Sequence, residues 1–118
     1  MKINCKGFTL IELFIVVAIL GVLATIAISM AVSIVDKGRV ATIKSDLNSA
    51  YKASVAVHIE SPEDIVNIDI LKENGYNQSK PIEITVVDGS METLKITAKH
   101  INSAVIYKID SSGKIQKQ

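Results

Sequence analysis

The chain has 118 residues, of which 48% are hydrophobic, and its formal net charge is +1. This length predicts a single domain, and the near-neutral charge does not provide the basic stripe that is expected of a nucleic-acid-binding domain. The one cysteine, Cys5, has no partner for an intramolecular disulfide, so a folded domain must be held together by packing.

The chain starts with a short polar segment, which is followed by a long apolar one. Residues 1–7 carry two lysines, and residues 8–35 contain one ionisable side chain, Glu12. The apolar run is long enough for a membrane-spanning helix, which needs about 20 residues. A secretory signal peptide has an apolar region of about 7–15 residues that ends in small residues. The run here is longer and ends at Asp36, so we expect it to be retained. The lysines on its two sides do not decide its orientation.

The junction between the two segments carries a specific motif. Residues 6–13 read KGFTLIEL, and the similarity continues to about residue 28. This stretch resembles the leader junction of type IV prepilins and of the related pseudopilins. The resemblance implies that a membrane aspartyl peptidase cuts between Gly7 and Phe8, that the new Phe8 amine is methylated, and that the apolar helix is kept as a filament core. The alternative interpretations are a flexible joint at Gly7 and a lipidation site at Cys5.

Glu12 is the one charge in the apolar run. An ionised side chain at the centre of a membrane helix costs about 2.5–3.5 kcal/mol on insertion scales. Near the helix N-terminus, Glu12 could instead lie at the membrane interface, where the helix dipole favours negative charge. The resemblance implies a third role, in which Glu12 pairs with the Phe8 amine of a neighbouring subunit. Because desolvation offsets much of the attraction between buried charges, such a pair would set the axial register of subunits more than it would add stability.

Two further positions in the apolar run concern helix geometry. Gly21 falls where the family usually has a glycine, and it predicts either local helix flexibility or close packing of small residues. Many type IV pilins have a proline eight residues further on, where this chain has Ser29. A proline would remove a helix hydrogen bond and promote a kink. The family's helix break at that position is therefore not carried over to this chain.

Residues 36–118 are predicted to form a globular head. Apolar residues at helical spacing continue the first helix to about Ile59, and Asp46 is assigned to the polar face of that helix. Ser61 as N-cap and Pro62 in the first turn predict the start of a short connecting helix, which ends at a glycine, Gly75.

The spacing of apolar residues then changes to two, which predicts strands. Asp88-Gly89 lies between the first two runs and is a strong hairpin signal. The runs cover residues 82–86, 94–97 and 105–109, with a short fourth strand around Ile115. The predicted fold class is therefore α+β, with a long N-terminal helix packed against a small antiparallel meander. The first half of that helix is membrane-spanning and the second half is amphipathic. This architecture also resembles that of pilins.

The sequence offers no residues at the spacing of a catalytic, cofactor or metal site. His58 and His100 have no cysteines or clustered carboxylates at ligand spacing, and we interpret them as solvated or helix-end residues. Neither a phosphate-binding glycine loop nor a nucleophile elbow is present. The triplet at residues 77–79 is a glycosylation sequon of a kind that is frequent by chance. We expect a protein that is not an enzyme and that uses no cofactor, metal or small-molecule substrate.

The sequence thus predicts a structural subunit of a type IV pilus-like filament, used in adhesion, motility or DNA uptake. The resemblance implies a precursor with residues 1–7 as leader and residues 8–35 as a single inner-membrane span, and a cell-surface filament after assembly. Its implied partners are further copies of the chain, a prepilin peptidase and methyltransferase, an inner-membrane assembly platform with an ATPase, and membrane lipid. Nucleic acid is expected only as an indirect partner, through DNA uptake. The alternatives are a pseudopilin of a type II secretion system and a non-assembling, membrane-tethered binding domain.

Overall fold

A computed structural model describes residues 9–118 of the chain. The chain divides into two compact units, Met1–Asp36 and Lys37–Gln118, and each is described by itself. Helix α1 (Leu10–Glu60) contributes to both units. The other elements are α2 (Ile68–Glu73), β1 (Ile82–Asp88), β2 (Lys95–His100), β3 (Ile106–Asp110) and β4 (Ile115–Lys117).

The described part of the first unit is a continuous helix that is exposed at every position. The helix passes through Gly21 and Ser29 without a break. The Thr25 hydroxyl donates a hydrogen bond of 2.7 Å to the carbonyl of Val22, one turn earlier, so its polarity is satisfied within the helix. The cleavage junction predicted at Gly7 and Phe8 lies outside the described residues.

The second unit is a head in which helices cover one face of a four-stranded sheet. The strand order is β1-β2-β3-β4, and each strand pairs antiparallel with the next, so the sheet is a meander. Buried and exposed side chains alternate along β1 and β2, as expected for a sheet with one covered face. This arrangement confirms the predicted α+β fold. The largest apolar side chains of the core are Ile43, Leu47, Leu71, Tyr76, Ile82, Ile96 and Ile109.

The connecting helix begins later than the sequence predicts. Ser61 is not its N-cap, because the residues directly after it are not helical, and the Ser61 N–H instead donates to the Val57 carbonyl at 2.8 Å and continues the hydrogen bonding of α1. The N-cap of α2 is Asn67, whose side-chain oxygen accepts the Ile70 N–H at 2.9 Å. Gly75 follows this helix at a φ of 102° and so supplies the left-handed residue that often ends a helix.

The hairpin predicted at Asp88-Gly89 joins β1 to β2 through residues 89–94. Glycine is needed at position 89 because another backbone segment lies very close to it, and not because the position has a positive φ. A Cβ at this position would overlap the Val66 carbonyl oxygen, and the Val66 N–H donates to the Gly89 carbonyl at 3.0 Å. The missing side chain therefore lets the segment before α2 pack directly against the end of β1.

Asp46 is buried, contrary to its predicted place on the polar face of α1, and is only 4% exposed. Its carboxylate accepts hydrogen bonds from the Tyr76 hydroxyl (2.9 Å), the Ser79 N–H (3.0 Å) and the Ser79 hydroxyl (2.6 Å). Burial, followed by the bond to Asp46, raises the pKa of Tyr76 far above its ordinary value, so the phenol remains a donor. The three bonds tie the loop between α2 and β1 to the first helix.

Candidate functional site

The N-terminus of α1 is fixed by a side-chain cap. Thr9 lies just before the helix, and its hydroxyl oxygen accepts the backbone N–H of Glu12 at 3.2 Å. The Thr9 carbonyl also accepts the Leu13 N–H at 3.1 Å. Threonine followed three residues later by glutamate is the sequence signature of a capping box. Sequence reasoning missed this role of Thr9, although the spacing is visible in the motif.

Glu12 is therefore the third residue of the helix, and its side chain is exposed. Within residues 9–118 the structure shows no cation paired with its carboxylate. Its helical neighbours Ile11, Leu13 and Phe14 are also exposed, at 68%, 51% and 73%. The Glu12 carboxyl group lies at the positive end of the helix dipole and is surrounded by apolar side chains. Such a carboxylate can attract a cation from another molecule, and it has no catalytic partner nearby in this part of the chain.

The surface around Glu12 is mostly apolar along residues 10–35. Seventeen large hydrophobic side chains between Leu10 and Val35 are exposed. Helix α1 is long and apolar enough to cross a membrane, and its best stretch has a mean hydropathy of 2.8. A soluble monomer rarely exposes a continuous apolar surface of this size. This face of the chain therefore requires either lipid or other protein chains around it.

Comparisons with known proteins agree with the motif at this helix. The family described as the prokaryotic N-terminal methylation motif matches residues 2–28. Over 85 residues, or 72% of its length, the chain is 39% identical to a curated protein of Pseudomonas aeruginosa that is named a fimbrial protein. A second fimbrial protein of the same organism matches to the same extent. The chain belongs to the type IV pilin family. The alignment covers 54% of each relative, so the chain spans about half the length of the curated relatives it matches.

The matched motif contains every residue that the sequence singled out for processing and assembly in this pilin, namely Gly7, Phe8, Glu12 and Gly21. The structure places Glu12 and Gly21 on α1, whereas Gly7 and Phe8 lie outside the described residues. A Cβ at Gly21 would meet no atom within 4 Å, so packing within the chain gives no reason for a glycine there. Any steric need for Gly21 must come from a neighbouring molecule.

The head of this pilin offers little for chemistry. Among residues 9–118 there is no group of three or more histidine, cysteine, aspartate or glutamate residues that could hold a metal ion. His58 lies in the last turn of α1, in agreement with the helix-end interpretation, but it is buried rather than solvated, and its Nε2–H donates to the Asp64 carbonyl at 3.1 Å. A groove of about 280 Å³ beside it is lined mainly by apolar side chains, including Val55, Ile59 and Met91. The family is structural rather than enzymatic.

Proposed function

We propose that the chain is a subunit of a type IV pilus-like filament that is assembled from the inner membrane through the first half of α1. The observation that carries this proposal is the apolar surface of residues 10–35, which has no partner within the described chain and bears one carboxylate near its start. The match of residues 2–28 to the methylation motif and the likeness to fimbrial proteins support it.

In this proposal a prepilin peptidase cuts between Gly7 and Phe8, and a methyltransferase modifies the new amine of Phe8. Helix α1 begins at Leu10, only two residues after Phe8. Cleavage would therefore leave an amine that is two residues before the helix and four residues before Glu12 in the sequence. Until assembly, lipid covers the apolar helix. An assembly platform with an ATPase then moves the subunit into a fibre at the cell surface. Adhesion, motility and DNA uptake are the uses we propose for that fibre.

Glu12 has the role of selecting the axial register between copies. In the low-dielectric interior of a filament, its carboxylate would be costly unless a cation from a neighbouring copy faced it. The Phe8 amine of that neighbour is a suitable cation, because it is created by cleavage at the same end of the helix. Leaving one buried charge without its partner costs about 3–5 kcal/mol, which is more than a hundredfold in an equilibrium constant. A copy that is inserted one position out of register would carry this cost.

Gly21 has the role of permitting close helix contact in the same filament. The free space around it within the chain means that alanine would fit in an isolated subunit, where it would also favour the helix by about 1 kcal/mol. We expect Gly21→Ala to leave membrane insertion unchanged and to reduce the yield of fibres, because the added methyl group would separate packed helices.

The decisive experiment compares processing with assembly. Surface fibres are sheared from cells, and the intact mass and N-terminal residue of the subunit are measured. We expect chains that start at a methylated Phe8. Chains that keep residues 1–7 and are found only as single molecules in the membrane would refute the proposal and favour a membrane-tethered domain. Processed chains that form only short periplasmic fibres would favour a secretion pseudopilin.

The role of Glu12 is tested with two variants. Glu12→Leu removes the charge and should leave cleavage and insertion intact but reduce ordered fibres strongly. Glu12→Asp keeps the charge and should retain part of the assembly. Normal fibre levels from Glu12→Leu would show that the carboxylate does not set the register.

A further inference from the structure

The face of the sheet that the helices leave uncovered has a definite arrangement of side chains. The side chains of Ile96, Ala98 and Ile109 are buried in the core, so the residues that alternate with them in β2 and β3 point to the opposite face. Side chains directly opposite each other on paired strands lie about 4.5–5.5 Å apart. The strand register aligns the outward residues in two neighbouring rows, which are Glu83–Lys99–Ile106 and Thr85–Thr97–Lys108.

A shallow hollow of about 130 Å³ lies between these rows. Pockets for drug-sized ligands measure about 300–1,000 Å³, so this hollow accommodates only one small group, such as a single ring of a longer ligand. Its side chains offer two hydroxyls, one ion pair with a distance of 3.4 Å, and an apolar contact. They belong to Thr85 and Thr97, to Glu83 with Lys99, and to Ile106.

Two lysines without ion-pair partners stand beside the hollow. Lys108 is directly opposite Thr97, and Lys95 precedes Thr97 by two residues on the same face of β2. Both lysines are partly exposed, and within residues 9–118 the structure shows no ion pair for either of them. Asp110 faces Lys95 across the strands, but its carboxylate already accepts hydrogen bonds from its own turn. Two cations against one engaged carboxylate leave this side of the hollow positively charged.

This combination of groups suits a sugar ring in an acidic polymer. Ring hydroxyls can donate to the Glu83 carboxylate and accept from the Lys99 ammonium group. The Thr97 hydroxyl makes only a long hydrogen bond of 3.5 Å within the chain, so it can also bind a ring hydroxyl. The C–H groups of the ring can pack on Ile106, which is 37% exposed. A carboxylate on the same ring or on the next one then lies where an unpaired lysine can bind it.

Nucleic acid fits the same surface less well. The carboxylates of Glu83 and Asp110 border the hollow, and they would repel a backbone of closely spaced phosphates. Among the outward residues of β1, β2 and β3 none is aromatic, since Tyr107 packs against the core, so unpaired bases find no stacking surface. Widely spaced anionic groups with hydroxyls between them match the surface better.

We propose that this hollow, together with Lys95 and Lys108, binds an anionic polysaccharide whose charges are carboxylates, that is, a polyuronate. The inference rests on the proposed function, because it names the class of ligand for the adhesion that we propose as one use of the fibre. Exposed charge pairs contribute little individually, so a single head binds weakly. A fibre that presents many copies gains affinity through multivalency.

The test measures binding of the full-length chain, in micelles of a non-ionic detergent, to immobilised polygalacturonate. We expect saturable binding that weakens as salt is added. Lys95→Ala with Lys108→Ala should weaken it about tenfold. The matched control, Lys44→Ala with Lys52→Ala, removes the same charge from exposed positions of α1, which covers the other face of the sheet. It should change the affinity by less than about twofold.

A third variant, Glu83→Ala, distinguishes sugar recognition from simple charge attraction. The substitution removes a negative charge, so it would strengthen any binding that depended on attraction alone. We expect it to weaken binding to polygalacturonate about fivefold, because ring hydroxyls lose their acceptor. Near-ultraviolet circular dichroism checks that all variants remain folded. Stronger binding by folded Glu83→Ala would overturn the inference.

The remaining outcomes separate the ligand from the filament. Duplex DNA that bound more tightly than polygalacturonate would make the surface a nucleic-acid site and overturn the inference, as would equal binding by the two double-lysine variants. Fibres of the unmodified chain that form normally but do not bind polygalacturonate refute the ligand alone. A chain that binds the polymer in micelles but never forms fibres refutes the proposed function alone.

Discussion

Replacing Asp46 by asparagine removes the charge from the buried group that joins α1 to the loop before β1. The carboxylate accepts three hydrogen bonds, and both of its oxygens are used. Hydrogen bonds to a charged group contribute about 1.5–3 kcal/mol each. Asparagine keeps one acceptor oxygen and places an NH₂ group where the second oxygen faced a donor. We therefore expect Asp46→Asn to lower the free energy of unfolding of the head by about 2–4 kcal/mol.

The assay is thermal unfolding of the full chain in detergent micelles, followed by the near-ultraviolet circular dichroism of tyrosine. All three tyrosines lie in residues 37–118, so the signal reports on the head. For a domain of this size, about 1 kcal/mol corresponds to about 4–8 °C in Tm, so a loss of about 2–4 kcal/mol should lower the midpoint by about 8–32 °C.

A matched control is Asp64→Asn, which makes the same chemical change at an exposed position and should change stability by less than about 0.5 kcal/mol. Hydrogen exchange of peptides that cover residues 76–82 should also become faster in Asp46→Asn, because the loop loses its anchor. The reasoning would be refuted if Asp46→Asn matched the control in both measurements, since the buried carboxylate would then not be what holds the loop.

Two other predictions concern the loop after β1. Gly89→Ala should destabilise the head by about 2 kcal/mol or more, because the new methyl group overlaps the Val66 carbonyl. Gly38→Ala, which has open space around it in α1, should instead stabilise the chain by up to about 1 kcal/mol. Equal Tm values for the two variants would contradict this prediction. Hydrogen bonds from the Ser90 N–H and then from the Thr93 hydroxyl lower the pKa of Asp88 below its ordinary value. A lowered pKa contributes stability that is complete above the unfolded value of about 3.9 and is lost as the pH falls through the folded value. Below about pH 4, the Tm of Asp88→Asn should therefore decline less than that of the unmodified chain. The same decline of Tm in both proteins would contradict the stabilising role of the Asp88 carboxylate.

The elements that are well predicted from the sequence are those with strong local periodicity. The apolar run and the amphipathic stretch after it predict α1, and the change to a spacing of two predicts the meander. The motif at residues 6–13 is sufficient by itself to indicate the pilin family, because it combines a leader junction with a charge inside an apolar run.

The wrong predictions fall where a contact between distant parts of the chain decides the outcome. Asp46 has the polarity of a surface residue, and its partners Tyr76 and Ser79 lie thirty or more positions away, so no local spacing reveals that it is buried. Ser61 has the chemistry of an N-cap, but no helix follows it directly, and α2 begins only at Ile68 with Asn67 as its cap. The capping box of Thr9 is a different case, because its spacing is local and the Thr9–Glu12 pair could have been predicted from the sequence.

The two units of the chain differ in whether their apolar side chains are buried within the chain, and this difference limits how the proposed filament can form. The head has its own core, whereas each exposed apolar side chain of residues 10–35 would gain about 1.5–3 kcal/mol on burial, which amounts to tens of kcal/mol for the segment. In the proposed function lipid supplies that burial before assembly, so leaving the membrane would be favourable only if neighbouring helices replaced the lipid almost completely. Apolar contact of this kind is non-directional and tolerates many registers. In the proposed filament the directional information would therefore come from polar groups, and Glu12 is the one charged side chain in residues 9–35 of the helix.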